Sequence, residues 1–89
     1  MFYTLIMKGE IVIVNIKLIG ANSHNGIKMK KVIERAIDNS DLDINLILLD
    51  DELSKNRYNV KSFPGLVVDE KLVCQGKVLT DRELKKLLV

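Results

Sequence analysis

The run Ser23-His24-Asn25-Gly26 lies between a strongly apolar stretch that ends at Gly20 and an amphipathic pattern that begins a few residues later. A junction of that shape sets side chains beside the free N–H groups of a helix start, where the helix dipole favours negative charge. Ser23 has two readings there. As an N-cap it accepts a hydrogen bond from a free backbone N–H, worth ~1 kcal/mol. As a binding group it helps hold a carboxylate, a phosphate or a thiolate. His24 is either a solvated loop histidine or a pH-dependent contact to a bound anion. Asn25 continues the turn, and Gly26 falls inside the first helical turn, where glycine costs up to ~1 kcal/mol relative to alanine.

The other candidate groups are scattered. Cys74 is the sole cysteine, which excludes an intramolecular disulfide and a cysteine-based metal cluster. His24 is the sole histidine and cannot build a His-rich zinc site, so no metal and no cofactor is expected. Cys74 reads by default as a small buried hydrophobe, with an intermolecular disulfide or a modified sensor thiol as the alternatives. Pro64 is the sole proline; Phe63 before it and Tyr58 are either an apolar lip for a peptide or core filler in a chain poor in aromatics. Lys28, Lys30 and Lys31 read as a solvated helix face that adds positive potential near Ser23.

The elements that must position these groups follow from periodicity. Residues Ile11 to Ile19 are β-branched and almost continuously apolar, as in a strand covered on both faces. From Ile27 the spacing of Met29, Val32, Ile33, Ala36 and Ile37 marks one face of a helix that ends at Asn39-Ser40. Asp43 to Leu49 is a second strand, and Asp50 is read as the N-cap of a short helix behind it. Leu66 to Val68 and Leu72 to Cys74 form a hairpin around Asp69-Glu70-Lys71. Thr80 and Glu83 form a capping box ahead of a last helix that is expected to bury Leu84, Leu87 and Leu88, with Lys85 and Lys86 in its final turn. The order is β-α-β-α-β-β-α. Right-handed crossovers would make the first three strands parallel and the last antiparallel.

With 89 residues the chain is one domain, and a domain of this size buries only ~60–65% of the surface its unfolded chain exposes. It holds one modest core of Ile, Leu and Val and no large internal cavity. The formal net charge is +2 with the signs interleaved, so neither a nucleic acid nor a membrane is announced as partner. The opening "MFYTLIM" has neither a basic region before it nor a cleavage site after it and is too short to span a bilayer. Residues 1–10 are therefore taken as an N-terminal extension, an edge strand or flexible arm, and 11–89 as the domain. Cysteine usage fits a reducing compartment, which points to the cytoplasm.

The element order, with "SFPGLVV" between the short helix and the hairpin and "GKVLTDRELKKLL" at the tail, resembles a thioredoxin-like fold. The resemblance is to the very small thioredoxin-like, or redox-active disulfide, proteins. It implies an α/β domain with a mixed, mostly parallel four-stranded sheet and helices on both faces. It also implies that Ser23 and Gly26 stand where such proteins carry the two cysteines of Cys-x-x-Cys, and that Phe63–Pro64 is a cis bond whose backbone pairs with a substrate peptide. Dithiol exchange needs both thiols, so that activity is not expected. Gly26 then marks either the close approach of another backbone or a position that drifted once its cysteine was lost. Replacing Ser23 and Gly26 together by Cys is expected to give a site that closes to a disulfide without unfolding the chain. The first functional expectation is a redox-inactive binding module using Ser23, His24, Asn25, Gly26, Phe63 and Pro64, with a peptide, a protein partner or a small thiol as ligand. The alternatives are residual monothiol redox work through Cys74 and a purely structural subunit that associates through a sheet edge or the apolar N-terminus.

Overall fold

The computed structural model describes residues 13–88. The extension assigned to residues 1–10 lies outside the described residues. The elements run β1 (Ile13–Ile19), α1 (His24–Asp38), β2 (Asp43–Leu49), α2 (Glu52–Arg57), β3 (Gly65–Val68), β4 (Lys71–Gln75) and α3 (Asp81–Leu88). The four strands form one sheet in the order β2-β1-β3-β4.

Alternation along β1 splits the core in two. Val14, Ile16 and Leu18 point to the face covered by α1 and α3. There they join Met29, Val32 and Ile33 of α1, Leu66 of β3, Leu79 and Leu84. Ile19, Val67 and Val60 form a smaller cluster on the opposite face, with Leu49, Tyr58 and Leu72 against it. Of the α1 residues marked by the 3.6-residue period, Met29, Val32 and Ile33 are buried, and Ala36 and Ile37 are partly buried against the same core. In α3 only Leu84 is buried; Leu87 is 39% exposed, so the last helix buries less than its sequence pattern suggests. The capping box forms, with Glu83 N–H donating to Thr80 Oγ1 at 3.1 Å and Thr80 N–H to Glu83 Oε1 at 3.0 Å.

The strand directions correct one expectation. β1 and β2 are parallel in register from Ile13↔Asp43 to Ile19↔Leu49, but β3 runs antiparallel to β1, with Ile19 opposite Gly65. The connection is anchored at the end where β2 leaves the sheet. Asn59 turns the chain just after α2, with φ of 59°, and Val60 packs with Ile19 and Val67 in the smaller cluster. The chain therefore crosses the sheet there and enters β3 at that end. The sheet thus contains one parallel pair and two antiparallel pairs. This direction sets Phe63–Pro64 beside Gly20; a parallel β3 would have carried the proline to the far end of the sheet.

The β3–β4 turn is tight. Asp69 and Glu70 are both left-handed, with φ of 48° and 71°, as a two-residue type I′ turn demands. Asn-Gly is the usual choice, because non-glycine residues resist that conformation. Here hydrogen bonds to β1 and to Tyr58 hold it. Asp69 N–H donates to the Asn15 carbonyl at 2.8 Å, and Asn15 N–H donates to Asp69 Oδ1 at 3.0 Å. Glu70 accepts from Lys17 Nζ at 2.7 Å and from the Tyr58 hydroxyl at 2.7 Å, and Lys17 also donates to that hydroxyl at 2.6 Å. These bonds raise the Lys17 ammonium above its ordinary range, first through Glu70 and then Tyr58. They hold the Glu70 carboxyl below its own, first through Lys17 and then Tyr58.

Candidate functional site

Three segments meet at the carboxyl ends of β1 and β2. The first is the turn after β1. Gly20 N–H donates to the Leu49 carbonyl at 2.8 Å, and Asn22 N–H donates to Asp50 Oδ1 at 2.9 Å, which ties the turn to the end of β2. Asp50 is thus spent on this turn, and the N-cap of α2 is its neighbour Asp51, not Asp50 as the sequence reading had it. Asp51 accepts from Ser54 N–H at 2.9 Å, a bond that holds its carboxyl below the ordinary range.

The second segment is the start of α1. Ser23 is its N-cap. Its Oγ accepts from Gly26 N–H at 3.0 Å and donates to the Gly20 carbonyl at 2.6 Å. The hydroxyl proton is therefore committed to the protein, and the capping reading of Ser23 accounts for its side chain. His24 is exposed and Asn25 half-buried. Ile27, one residue beyond Gly26, is 49% exposed.

Gly26 is buried against the turn. A Cβ there would lie 2.1 Å from the Gly20 carbonyl oxygen, 2.8 Å from Ser23 Oγ and 2.9 Å from the Ala21 carbonyl carbon. Of the two readings of Gly26, this geometry selects the close approach of another backbone. It also overturns the expected tolerance of a Ser23, Gly26 double replacement by Cys. The second cysteine would have to push the Gly20–Ala21 backbone away before any disulfide closed.

The third segment leads into β3. The Phe63–Pro64 peptide bond is cis. Lys61 N–H and Ser62 N–H both donate to Gln75 Oε1, at 2.7 and 3.2 Å, and Gly76 N–H donates to the Pro64 carbonyl at 3.0 Å. Pro64 is fully buried, whereas Phe63 is 42% exposed. The Phe63 ring covers Gly20, leaving no room for a Cβ at that residue, whose φ is +80°. Lys55 Nζ stands 5.4 Å from the centre of the Phe63 ring, within range of a cation–π contact.

The sequence-derived residues Ser23, His24, Asn25, Gly26, Phe63 and Pro64 are thus brought to one end of the sheet. Two others are not. Tyr58 packs in the smaller cluster, and its hydroxyl is bound to Lys17 and Glu70. Cys74 is half-buried and packs against the α1–α3 core, opposite Leu66. Gly20 and Gln75 were missed by sequence reasoning. Gly20 ends the strand and carried a visible turn signal; Gln75 lies in a strand and carried none. Among the described residues no cluster of three or more His, Cys, Asp or Glu could hold a metal ion. No described helix is long and apolar enough to cross a membrane.

A β-α-β parallel unit, an antiparallel hairpin and a closing helix, with a capped helix start facing a proline turn, define the thioredoxin-type domain. A family profile described as "Thioredoxin domain" matches residues 14–89, and the chain belongs to that family. Among curated proteins none matches.

Proposed function

We propose that this chain is a redox-inactive thioredoxin-domain protein that binds an extended peptide or a small thiol at the cleft between the α1 start and Phe63–Pro64. The observation that carries the reading is the pairing of a half-exposed Phe63, beside the buried Pro64, with an α1 terminus whose Ser23 and Gly26 leave no thiol. One cysteine in the whole chain makes a dithiol cycle impossible within one molecule. Ile27 and Phe63 offer apolar contact at the rim, and the helix dipole with Lys28 nearby favours a carboxylate or thiolate end on the ligand. Cys74 faces the core rather than the cleft, which speaks against a monothiol role. A reducing compartment, the cytoplasm, suits a chain with that free thiol.

Two measurements test the reading. Reduction of a protein disulfide by dithiothreitol should proceed at the same rate with and without the protein. An acceleration that survives Cys74→Ser would overturn the redox-inactive assignment. Thermal unfolding in the presence of glutathione, inorganic phosphate and short cysteine peptides should give a higher Tm with at least one thiol or peptide, since a native-state binder stabilises by mass action. No shift, or a shift with phosphate alone, would reduce the site to an ordinary capped helix end.

A further inference from the structure

We infer that the outer edge of β2 is a second binding surface, which accepts an extended apolar segment flanked by basic residues from a partner protein. The two edges of the sheet, β2 and β4, are built differently. β4 is protected in the ways edge strands commonly are: it has five residues, begins with Lys71 and pairs irregularly with β3 between Leu66 and Val67. β2 has none of these devices. Its seven residues, Asp-Ile-Asn-Leu-Ile-Leu-Leu, contain no Lys, no Pro and no bulge, and stay in continuous register with β1. Among the described residues no strand pairs with its outer side, so a row of backbone N–H and C=O groups is presented there. The strand is only partly covered: Ile47 is 39% and Leu48 42% exposed, on opposite faces of the sheet. A strand laid along this edge would satisfy the backbone row and shield both side chains.

Charge selects the occupant. From Asp41 to Glu52 there are five carboxylates, at positions 41, 43, 50, 51 and 52, and no basic residue, although the chain as a whole carries +2. They bracket the apolar centre of β2 at both ends. Lys55 lies 3.9 Å from Glu52 on an exposed helix, and Arg35 and Lys85 line the same cavity as Asp41; no cation is paired with Asp43 or Asp50 among the described residues. A second copy of this chain is a poor occupant. Antiparallel pairing of two β2 strands about Leu46 would set Asp41 of one copy against Asp51 of the other, twice. Like charges placed opposite one another are destabilising. A segment with lysines or arginines on either side of an alternating apolar core matches both the hydrogen-bonding row and the field.

The test uses the full chain and a synthetic peptide with an alternating Val/Thr core and two lysines at each end. Controls carry glutamates in place of the lysines, or N-methyl groups on alternate amides. Fluorescence anisotropy should show binding of the lysine peptide that weakens about tenfold between ~0.05 and ~0.5 M salt, as the Debye length shrinks. The double variant Asp41→Lys, Asp43→Lys should lose roughly fivefold or more in affinity. Both side chains are exposed, so the fold should persist. Amide exchange should slow in Asp43–Leu49 on binding, and Phe63→Ala should leave this binding intact, which separates it from the cleft. Equal binding by the glutamate or N-methylated peptide would overturn the inference, as would protection confined to the cleft. So would a sedimenting dimer that protects the β2 amides pointing away from β1, which would make a second copy the occupant. Protection of those outward amides in a free monomer would do the same by showing that the chain's own N-terminal residues lie there.

Discussion

Replacing Gly26 by Ala separates a helix-propensity view of this site from a packing view. At an open helical position the change is favourable by ~1 kcal/mol, because alanine forms helix better than glycine. At Gly26 the added methyl falls 2.1 Å from the Gly20 carbonyl oxygen and 2.9 Å from the Ala21 carbonyl carbon. Overpacking of this kind costs ~1–3 kcal/mol. The neighbours are backbone, so relief moves the Gly20–Ser23 turn and with it the Ser23 cap, a further ~1 kcal/mol. Together the losses of ~2–4 kcal/mol exceed the ~1 kcal/mol gained, for a net destabilisation of ~1–3 kcal/mol. In a domain of this size that lowers Tm by roughly 5–20 °C. Urea and thermal unfolding followed by circular dichroism would measure it. A Gly26→Ala variant as stable as the parent, or more so, would refute the close backbone approach. It would also reinstate the site as one that accepts a cysteine.

Leu84→Ala should cost ~2–5 kcal/mol, since this is the one buried side chain by which α3 holds the core, and amide exchange in Asp81–Leu88 should rise with it. Glu70→Gln removes the carboxylate from the Lys17–Tyr58–Glu70 group and should lower stability in a defined pH window. The folded Glu70 carboxyl titrates below its ordinary 4.5, so its contribution is present above that value and lost as pH falls through the depressed one. The folded Lys17 titrates above its ordinary 10.5, so its contribution is full below that value and lost as pH rises through the raised one. The difference between parent and variant, from urea midpoints, should be flat between these limits and shrink beyond either; a difference that grows in acid would contradict it. Replacing Ser23 and Gly26 together by Cys should yield a less stable chain in which, with Cys74→Ser, Ellman titration after mild oxidation still finds two free thiols; rapid closure to a disulfide without loss of stability would show that the Gly20–Ala21 turn yields easily.

What was legible in the sequence was whatever had a local cause. The buried face of α1 came from its period, the Thr80–Glu83 box from its spacing, and the Ser23 cap from its place before a helical run. The direction of β3 was not local. It depends on where the connection after β2 is anchored, and that is set by Val60 packing beside Ile19 and Val67, residues remote from it or from each other in the chain. The same holds for Gly26, whose role is set by the Gly20 carbonyl reaching it across a turn. Asp50 and Asp51 are equally good caps by type; the bond from Asn22 N–H to Asp50 decides which one is free to cap α2. The Lys17–Tyr58–Glu70 group joins residues far apart in the chain, and no spacing rule links them.

The central claim is a binding cleft without thiol chemistry, and an amide-resolved titration reaches it most directly. Isotope-labelled protein carrying Cys74→Ser would be titrated with a panel of short extended peptides, each containing one cysteine either free or alkylated. The account predicts saturable shifts centred on Ser23–Ile27 and on Phe63, the same for at least one peptide whether its thiol is free or blocked, with α3 unaffected. Shifts that avoid these residues for every peptide, or binding that vanishes without Cys74, would contradict it.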